Sequence, residues 1–414
     1  MALVAITRAV LGDRSARRLF LAALLALSVT VSSQPASMTV VLAGQSMLRS
    51  DLRATQPAAM STIKGLLAGD VVFSNLEAAV ALPGQTIQEG RGFLTPPEAL
   101  DALSAMGFNL LALAGNHAFD LREGGIGNTI RELDRRHIPH AGTGNTLTDA
   151  SAPAYLRTAA GTVALVASAS GLIAQGGRAG SDHPGVNELR VELAGRQNTA
   201  TEDLPAGAVN RPNAEDAARI LQNIREARRN ADVVIVYQHN HVFGSRSFSS
   251  IFTEGLAERL APNRWLVKWT HDEIDAGADI VVMHGAPLLH GIEMYRGRPI
   301  FYDLGNFIYN LPPTLTYIDE PMAWESVVAS VRLQGREVRS ISLRPVVLNP
   351  IGEGQPDVHN PYTSNEFLHT RGLPTAATGA RAGYILQRLA DASKPFGTRI
   401  DITGDVASIA VAKK

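Results

Sequence analysis

The chain has 414 residues, 45% apolar and 19% charged, enough to bury a full core, which excludes disorder over most of its length. Its 38 basic and 39 acidic residues give a formal net charge of −1, so no overall field draws it to nucleic acid or to an acidic membrane surface. Cysteine is absent, which excludes disulfides, thiolate metal sites, thiol catalysis and a lipid-anchored amino-terminal Cys.

At the amino terminus, Arg8, Arg14, Arg17 and Arg18 precede the apolar run LFLAALLALSVTV and the small, polar SSQPAS. That is the layout of a secretory signal, and the run is short for a membrane span. The arginine pair before Leu19, Phe20 and Leu21 is similar to a twin-arginine export signal. Residues 1–36 are therefore expected to lie outside the fold, with the mature protein periplasmic or extracellular. An uncleaved membrane anchor and a true start at Met38 are the alternatives.

From Met38 onward strands alternate with helices. MTVVLAG (38–44), DVVFSNLE (70–77) and FNLLALAGN (108–116) read as strands, with a helix over 96–107 between the second and third. A second helix is expected over 126–138, where Ile126, Ile130 and Leu133 share a face. Further strands follow at 162–170, 232–239, 279–285 and 299–309. This alternation predicts an α/β protein with a largely parallel central sheet. Residues 171–214, rich in Gly, Asn, Arg, Pro and Asp, read as a long surface excursion and a candidate lid. The tail from about 322 reads as a β-hairpin, a helix (AATGARAGYILQRLADAS) and a last strand near TRIDITGDVASIAV. The expected division is an export signal over 1–36, a catalytic domain over 37–320, and a β-rich extension over 321–414 packed on that domain.

Polar residues sit at the strand ends: Gln45, Asn75 and Glu77, Asn116 and His117, His239 and His241, and His284 with His290 close behind. In a parallel sheet such groups gather at the carboxyl edge. Imidazole, carboxylate and amide oxygen without thiolate suit Zn, Mn or Fe in a hydrolytic centre. Each signal alone is modest: a single strand-end His often only hydrogen-bonds, Asn116 could cap the following turn, and Glu77 could pair with an arginine. Asp120 is expected to orient its loop rather than bind metal. The coincidence of five strand ends favours the metal.

The ordered segments LAGQSMLRSD, DVVFSNLEAAV, FLTPPEALDALSAMGFNLLALAGNHAFD, DVVIVYQHNH and DAGADIVVMHGAPLLHGIEMYRGRPIFYDLGNF resemble the CapA family of poly-γ-glutamate capsule synthesis proteins, over roughly residues 38–310. The resemblance implies a calcineurin-like metallophosphoesterase fold, a β-sandwich flanked by helices with metals at one edge. It also implies that Glu77 is the central carboxylate and Asn116 a ligand, that His117 protonates a leaving group, and that His239 and His284 complete one metal position. This chain departs from the family pattern in having Gln45 after Gly44 where Asp is usual, and Pro287 where a second His is often found. A neutral amide binds a divalent cation less well than a carboxylate. One well-formed site from Glu77, Asn116, His239 and His284 is therefore expected, with a second position weak, absent or rebuilt from Gln45, His241 or His290.

Arg49, Arg53 and Arg91 are candidates to hold a phosphate or carboxylate of a substrate, although any one of them taken alone is more often an ordinary solvated loop arginine. Three functions fit. In one, the protein makes or handles an anionic polyglutamate outside the membrane with membrane-bound partners. In another, it is a metal-dependent hydrolase of small phosphate esters or amides. In the third, it is a binding module without turnover. The first follows the family resemblance.

Overall fold

The computed structural model describes residues 37–87, 92–192, 210–243, 259–310, 321–352 and 369–411, and residues 37–414 form one compact unit. The expected export signal and Arg91 lie outside the described residues.

The strands that position the site are, in chain order, β1 (Ser37–Leu42), β2 (Gln45–Met47), β3 (Val71–Asn75), β4 (Leu110–Ala112), β5 (His140–Ala141), β6 (Ala154–Thr158), β7 (Gly161–Ser170), β8 (Val233–Asn240) and β9 (Ile280–His284). They are followed by β10 (Ile292–Tyr295), β11 (Arg298–Phe301), β12 (Asn306–Tyr309), β13 (Glu325–Gln334), β14 (Glu337–Leu348), β15 (Pro374–Ala376), β16 (Ile400–Thr403) and β17 (Val406–Ile409). The main helices are α1 (Glu98–Met106), α2 (Arg122–Arg135), α3 (Ala214–Asn230), α4 (Arg264–Ala276) and α5 (Gly379–Ser393).

The protein is mixed α/β, but the expected single parallel sheet is replaced by two. The first runs β16-β17-β14-β13-β1-β3-β4-β5, with β15 added beside β14, and the second runs β10-β11-β9-β8-β7-β6. In the first sheet β1, β3, β4 and β5 are parallel, while β13 pairs antiparallel with β1 along six residues. In the second, β7, β8, β9 and β11 are parallel between antiparallel edges. The two sheets share one apolar core, in which Val40, Leu42, Phe73 and Leu110 of the first join Leu165, Ile235, Tyr237 and Val282 of the second. β-Branched, fully buried runs such as VVFSN and IVVMH fit strands covered on both faces. α1 ends as its sequence requires, with Gly107 at φ 113° closing the helix. α2 begins at Arg122, four residues before the expected start, and α5 starts at Gly379 because Pro374–Ala376 is drawn off as a strand.

The segment expected as an open excursion is tied down where it is described. Ala179, Val186, Asn187 and Leu189 are buried, and Leu189 N–H donates to the Ala169 carbonyl at 2.8 Å. Its composition hid this, because the anchors are backbone bonds and one buried carboxylate rather than an apolar stripe. Asp216, fully buried on α3, accepts from Arg178 at 2.8 Å, Arg190 at 2.6 Å and Arg219 at 2.6 Å. Residues 193–209 of that stretch lie outside the described residues. Among the described residues no helix is long and apolar enough to cross a membrane.

A close backbone crossing builds one wall of the site. A Cβ on Gly44 would stand 2.4 Å from the Gly305 carbonyl oxygen, and Gly305 itself has φ +73°. Only glycine permits that approach, which lets Gln45 N–H donate to Gly305 O at 2.9 Å and sets Gln45 beside Asn306 across β2 and β12.

Candidate metal centre

Each candidate side chain leaves the end of a buried strand. Glu77 follows β3, Asn116 opens the 3-10 turn Asn116–Phe119 after β4, His239 lies at the end of β8 with His241 just beyond, and His284 ends β9 as the register partner of His239. Alternation along the extended chain puts His239 and His241 on one face, two residues apart.

Four atoms converge. Asn116 Oδ1 lies 2.9 Å from His239 Nε2 and 3.1 Å from His241 Nε2, the two Nε2 atoms are 3.1 Å apart, and Glu77 Oε1 is 3.6 Å from His239 Nε2. Ligands about 2.1 Å from a common ion sit roughly 3.0–3.4 Å apart in octahedral or tetrahedral arrangement, so the spacing fits one divalent cation. Among the described residues, Glu77, His239 and His241 form the group of His and acidic residues whose ligand atoms lie within 4.8 Å of one another, and all three are buried. Glu77 Oε2 and His241 Nδ1 have no protein hydrogen-bond partner despite burial, a cost that makes sense where a ligand completes the set.

The electrostatics agree. Burial pushes the Glu77 carboxyl up to about 7, with Asp120 adding to the rise and His117 and Asn75 opposing it. Burial lowers His239 well below an ordinary imidazole, aided by its His neighbours, and lowers His241 and His284 to about 3 each, the Ala43 carbonyl opposing the fall at His284. Neutral imidazoles with available lone pairs are what a cation requires.

His284 stands slightly apart. Its Nδ1 lies 2.8 Å from Asn75 Oδ1 and its Nε2 is buried without a protein partner. Gln45 Oε1 and Asn306 Oδ1 are also buried and unpartnered nearby on β2 and β12. His290 belongs elsewhere, its Nε2 meeting the Arg259 carbonyl. The structure thus brings Glu77, Asn116, His239 and His241 together most tightly, places His284 and Gln45 beside them, and leaves His290 out.

The rim carries a second arrangement. His117 Nδ1 lies 2.7 Å from Asp120 Oδ2, which also accepts the Phe93 N–H at 2.5 Å. Burial by itself would lower His117, but the bond to Asp120 and the charges of Asp120 and Glu77 outweigh it, and the imidazole is raised above its ordinary value. The ring keeps 25% of its surface exposed, so a substrate can reach it. Asp120 therefore orients His117 as well as its loop. Arg49 stacks over Phe93 at 4.4 Å, its Nε donating to the Asn310 carbonyl at 2.9 Å, which sets its guanidinium at the same rim. Arg53 is instead committed to Asp51 at 2.8 Å and reaches Asp101 at 3.4 Å.

Two supporting groups escaped the sequence reading. Tyr237 places its hydroxyl 3.0 Å from His239 Nδ1, and Asn75, noted only as a strand-end polar residue, holds His284. The i−2 spacing of Tyr237 from His239 was the available signal.

A family model described as bacterial capsule synthesis protein PGA_cap matches residues 39–311. The uncharacterized protein y4sH of Sinorhizobium fredii (strain NBRC 101917 / NGR234) is 30% identical, over 85% of this chain and 88% of its own length. The PGA biosynthesis protein CapA of Bacillus subtilis (strain 168) is 27% identical, over 59% of this chain and 54% of its own. The solved structure of Haemophilus influenzae NAD nucleotidase (NadN) aligns with a TM-score of 0.34 at 10% identity, covering 74% of this chain and 49% of that one.

Proposed function

This chain belongs to the PGA_cap family of bacterial capsule synthesis proteins, and from that footing we propose that it acts in making or handling poly-γ-glutamate or a related anionic capsule polymer through a metal-dependent hydrolytic centre. The observation that carries the hydrolytic part is the convergence of Asn116 Oδ1, His239 Nε2, His241 Nε2 and Glu77 Oε1 beside the His117–Asp120 pair. The proposal places the activity outside the cytoplasmic membrane, next to membrane-bound synthesis proteins. It also takes the paired sheets with a centre at one edge as a calcineurin-like architecture.

A divalent ion such as Mn, Zn or Fe, bound there, would supply Lewis acidity and make water a nucleophile at neutral pH. The chain's own residues do the rest. Glu77, Asn116, His239 and His241 would hold the ion. For a γ-glutamyl amide, water gives up one proton to solvent as its oxygen bonds to the carbonyl carbon, the C–N bond breaks, the proton held on the second ring nitrogen of His117 passes to the leaving nitrogen, and His117 regains a proton from solvent. Asp120 keeps the His117 ring turned for that transfer and stabilises its imidazolium form. Arg49 offers its guanidinium to the free α-carboxylate beside the scissile bond.

Hydrolysis of γ-glutamyl oligomers, phosphodiesters and phosphomonoesters, each with Mn, Zn and Fe, tests this reading. Cleavage of the oligomers is expected. Phosphoester cleavage alone would transfer the centre to a phosphoesterase role, and metal uptake without any turnover would leave a polymer-binding module.

A further inference from the structure

The buried imidazoles of His239 and His284 are held on their far sides by two chemically different partners. His284 Nδ1 faces Asn75 Oδ1 at 2.8 Å, and a carbonyl oxygen can only accept. The proton therefore belongs on Nδ1, and Nε2, which has no protein partner, is left with a bare lone pair.

His239 differs. Its Nδ1 faces the Tyr237 hydroxyl at 3.0 Å, a group that both donates and accepts, and its Nε2 faces Asn116 Oδ1 at 2.9 Å. Without a cation, the Tyr237 O–H donates to Nδ1 and Nε2–H donates to Asn116 Oδ1 or to His241 Nε2 at 3.1 Å, so both ring nitrogens of His239 are satisfied. With a cation on Nε2, the ring proton must sit on Nδ1, and the Tyr237 oxygen turns to accept it. One proton leaves Nε2 and one arrives on Nδ1, so the ring stays neutral. The Tyr237 ring is fully buried, 5.7 Å from Phe73 and 5.4 Å from His284, so it cannot swing away and only its hydroxyl hydrogen rotates.

We infer that Asn75 and Tyr237 are positioning residues that set the tautomers of the centre: Asn75 keeps His284 permanently ready to bind a cation through Nε2, and Tyr237 lets His239 exchange its tautomer when a cation arrives. The Tyr237 half rests on the proposed metal centre; the tautomer that Asn75 sets on His284 does not.

The test is ring nitrogen NMR of the full chain with labelled histidine, in chelator and then with one equivalent of zinc, for the wild type and Tyr237→Phe, together with zinc affinity by chelator competition. The phenyl ring keeps the packing and removes only the hydroxyl. In chelator, His284 is expected to carry its proton on Nδ1 and His239 on Nε2; zinc should move the His239 proton to Nδ1. Tyr237→Phe is expected to weaken zinc by about 10–100-fold, the usual cost of losing such a partner. A His284 proton on Nε2 in chelator would overturn the Asn75 half. A His239 tautomer that does not change with bound zinc, or an unchanged zinc affinity in Tyr237→Phe, would overturn the Tyr237 half. A wild type that takes up no zinc or other divalent ion removes the metal centre and the Tyr237 half with it, while the His284 tautomer still decides the role of Asn75.

Discussion

His117 and Asp120, three residues apart on one short turn, form a charge-assisted pair 2.7 Å long whose carboxylate oxygen also takes the Phe93 amide proton. The second bond pins the carboxylate, and the pinned carboxylate fixes the ring. If His117 is the acid, His117→Ala should lower kcat by about 10²–10⁴-fold while the metal content stays unchanged. Asp120→Asn should give a smaller loss and move the alkaline limb of the pH–rate profile downward, because the group that raises His117 is gone. Loss of metal in His117→Ala would instead make His117 a ligand.

The four converging atoms predict at least one tightly held ion per chain. Glu77→Gln and His241→Ala should each weaken divalent metal by 100-fold or more, a rough bound set by the 10–100-fold cost of losing a mere outer partner. His290→Ala, whose ring nitrogen meets the Arg259 carbonyl away from the centre, should leave metal content as it is. Elemental analysis of protein purified without chelator reads both outcomes.

Glu77 also predicts a pH signature in the metal-free protein. Its carboxyl titrates near 7 in the fold and near 4.5 in the unfolded chain, so between those values the folded state holds the extra proton. Stability is therefore lost as pH rises through that window. Replacing Glu77 with Gln removes the effect, so the variant should gain on the wild type by on the order of 3 kcal/mol between pH 4.5 and pH 7.5. Urea unfolding in chelator across that range measures it, and a pH-independent difference would refute the buried-carboxylate account.

Asp216 carries a structural prediction of the opposite sign. Burial would raise its carboxyl, but the Arg190, Arg219 and Arg178 bonds outweigh burial and hold it well below the ordinary carboxylate range. Its stabilisation is present above the unfolded value near 3.8 and fades as pH falls further. Asp216→Asn should cost about 3 kcal/mol at pH 7, since it strands three guanidiniums around a buried site. The same variant should raise amide exchange at Val186 and Leu189 ahead of the core strands.

Much of the centre was legible because strand ends announce themselves: an apolar run that stops at Asn116 and His117, or at His239 and His241, marks a carboxyl edge. The partition between ligands was not legible. His239 and His241 share a face and converge on Asn116, whereas His284, one strand over, is drawn back by Asn75, and no periodicity encodes that offset. The two-sheet layout was hidden for a related reason. β1 reads the same whether its second neighbour is a parallel strand close in sequence or β13, almost three hundred residues away, since pairing partners leave no mark on a strand's own residues. Gly44 and Gly305 were likewise ordinary glycines until their backbones were seen to cross.

The pairing of β1 with β13 also sets the limits of a usable fragment. The family match ends at residue 311, yet β1, whose carboxyl end leads into the Gly44–Gln45 turn, has one side covered by residues 325–334. Cutting the gene at the edge of the matched segment would bare one side of all six residues of β1 in the middle of what had been a nine-stranded sheet, a template for joining another copy. Expression trials designed from the matched segment alone should yield aggregates, and the shortest soluble form should extend past β17, which closes the far side of β14.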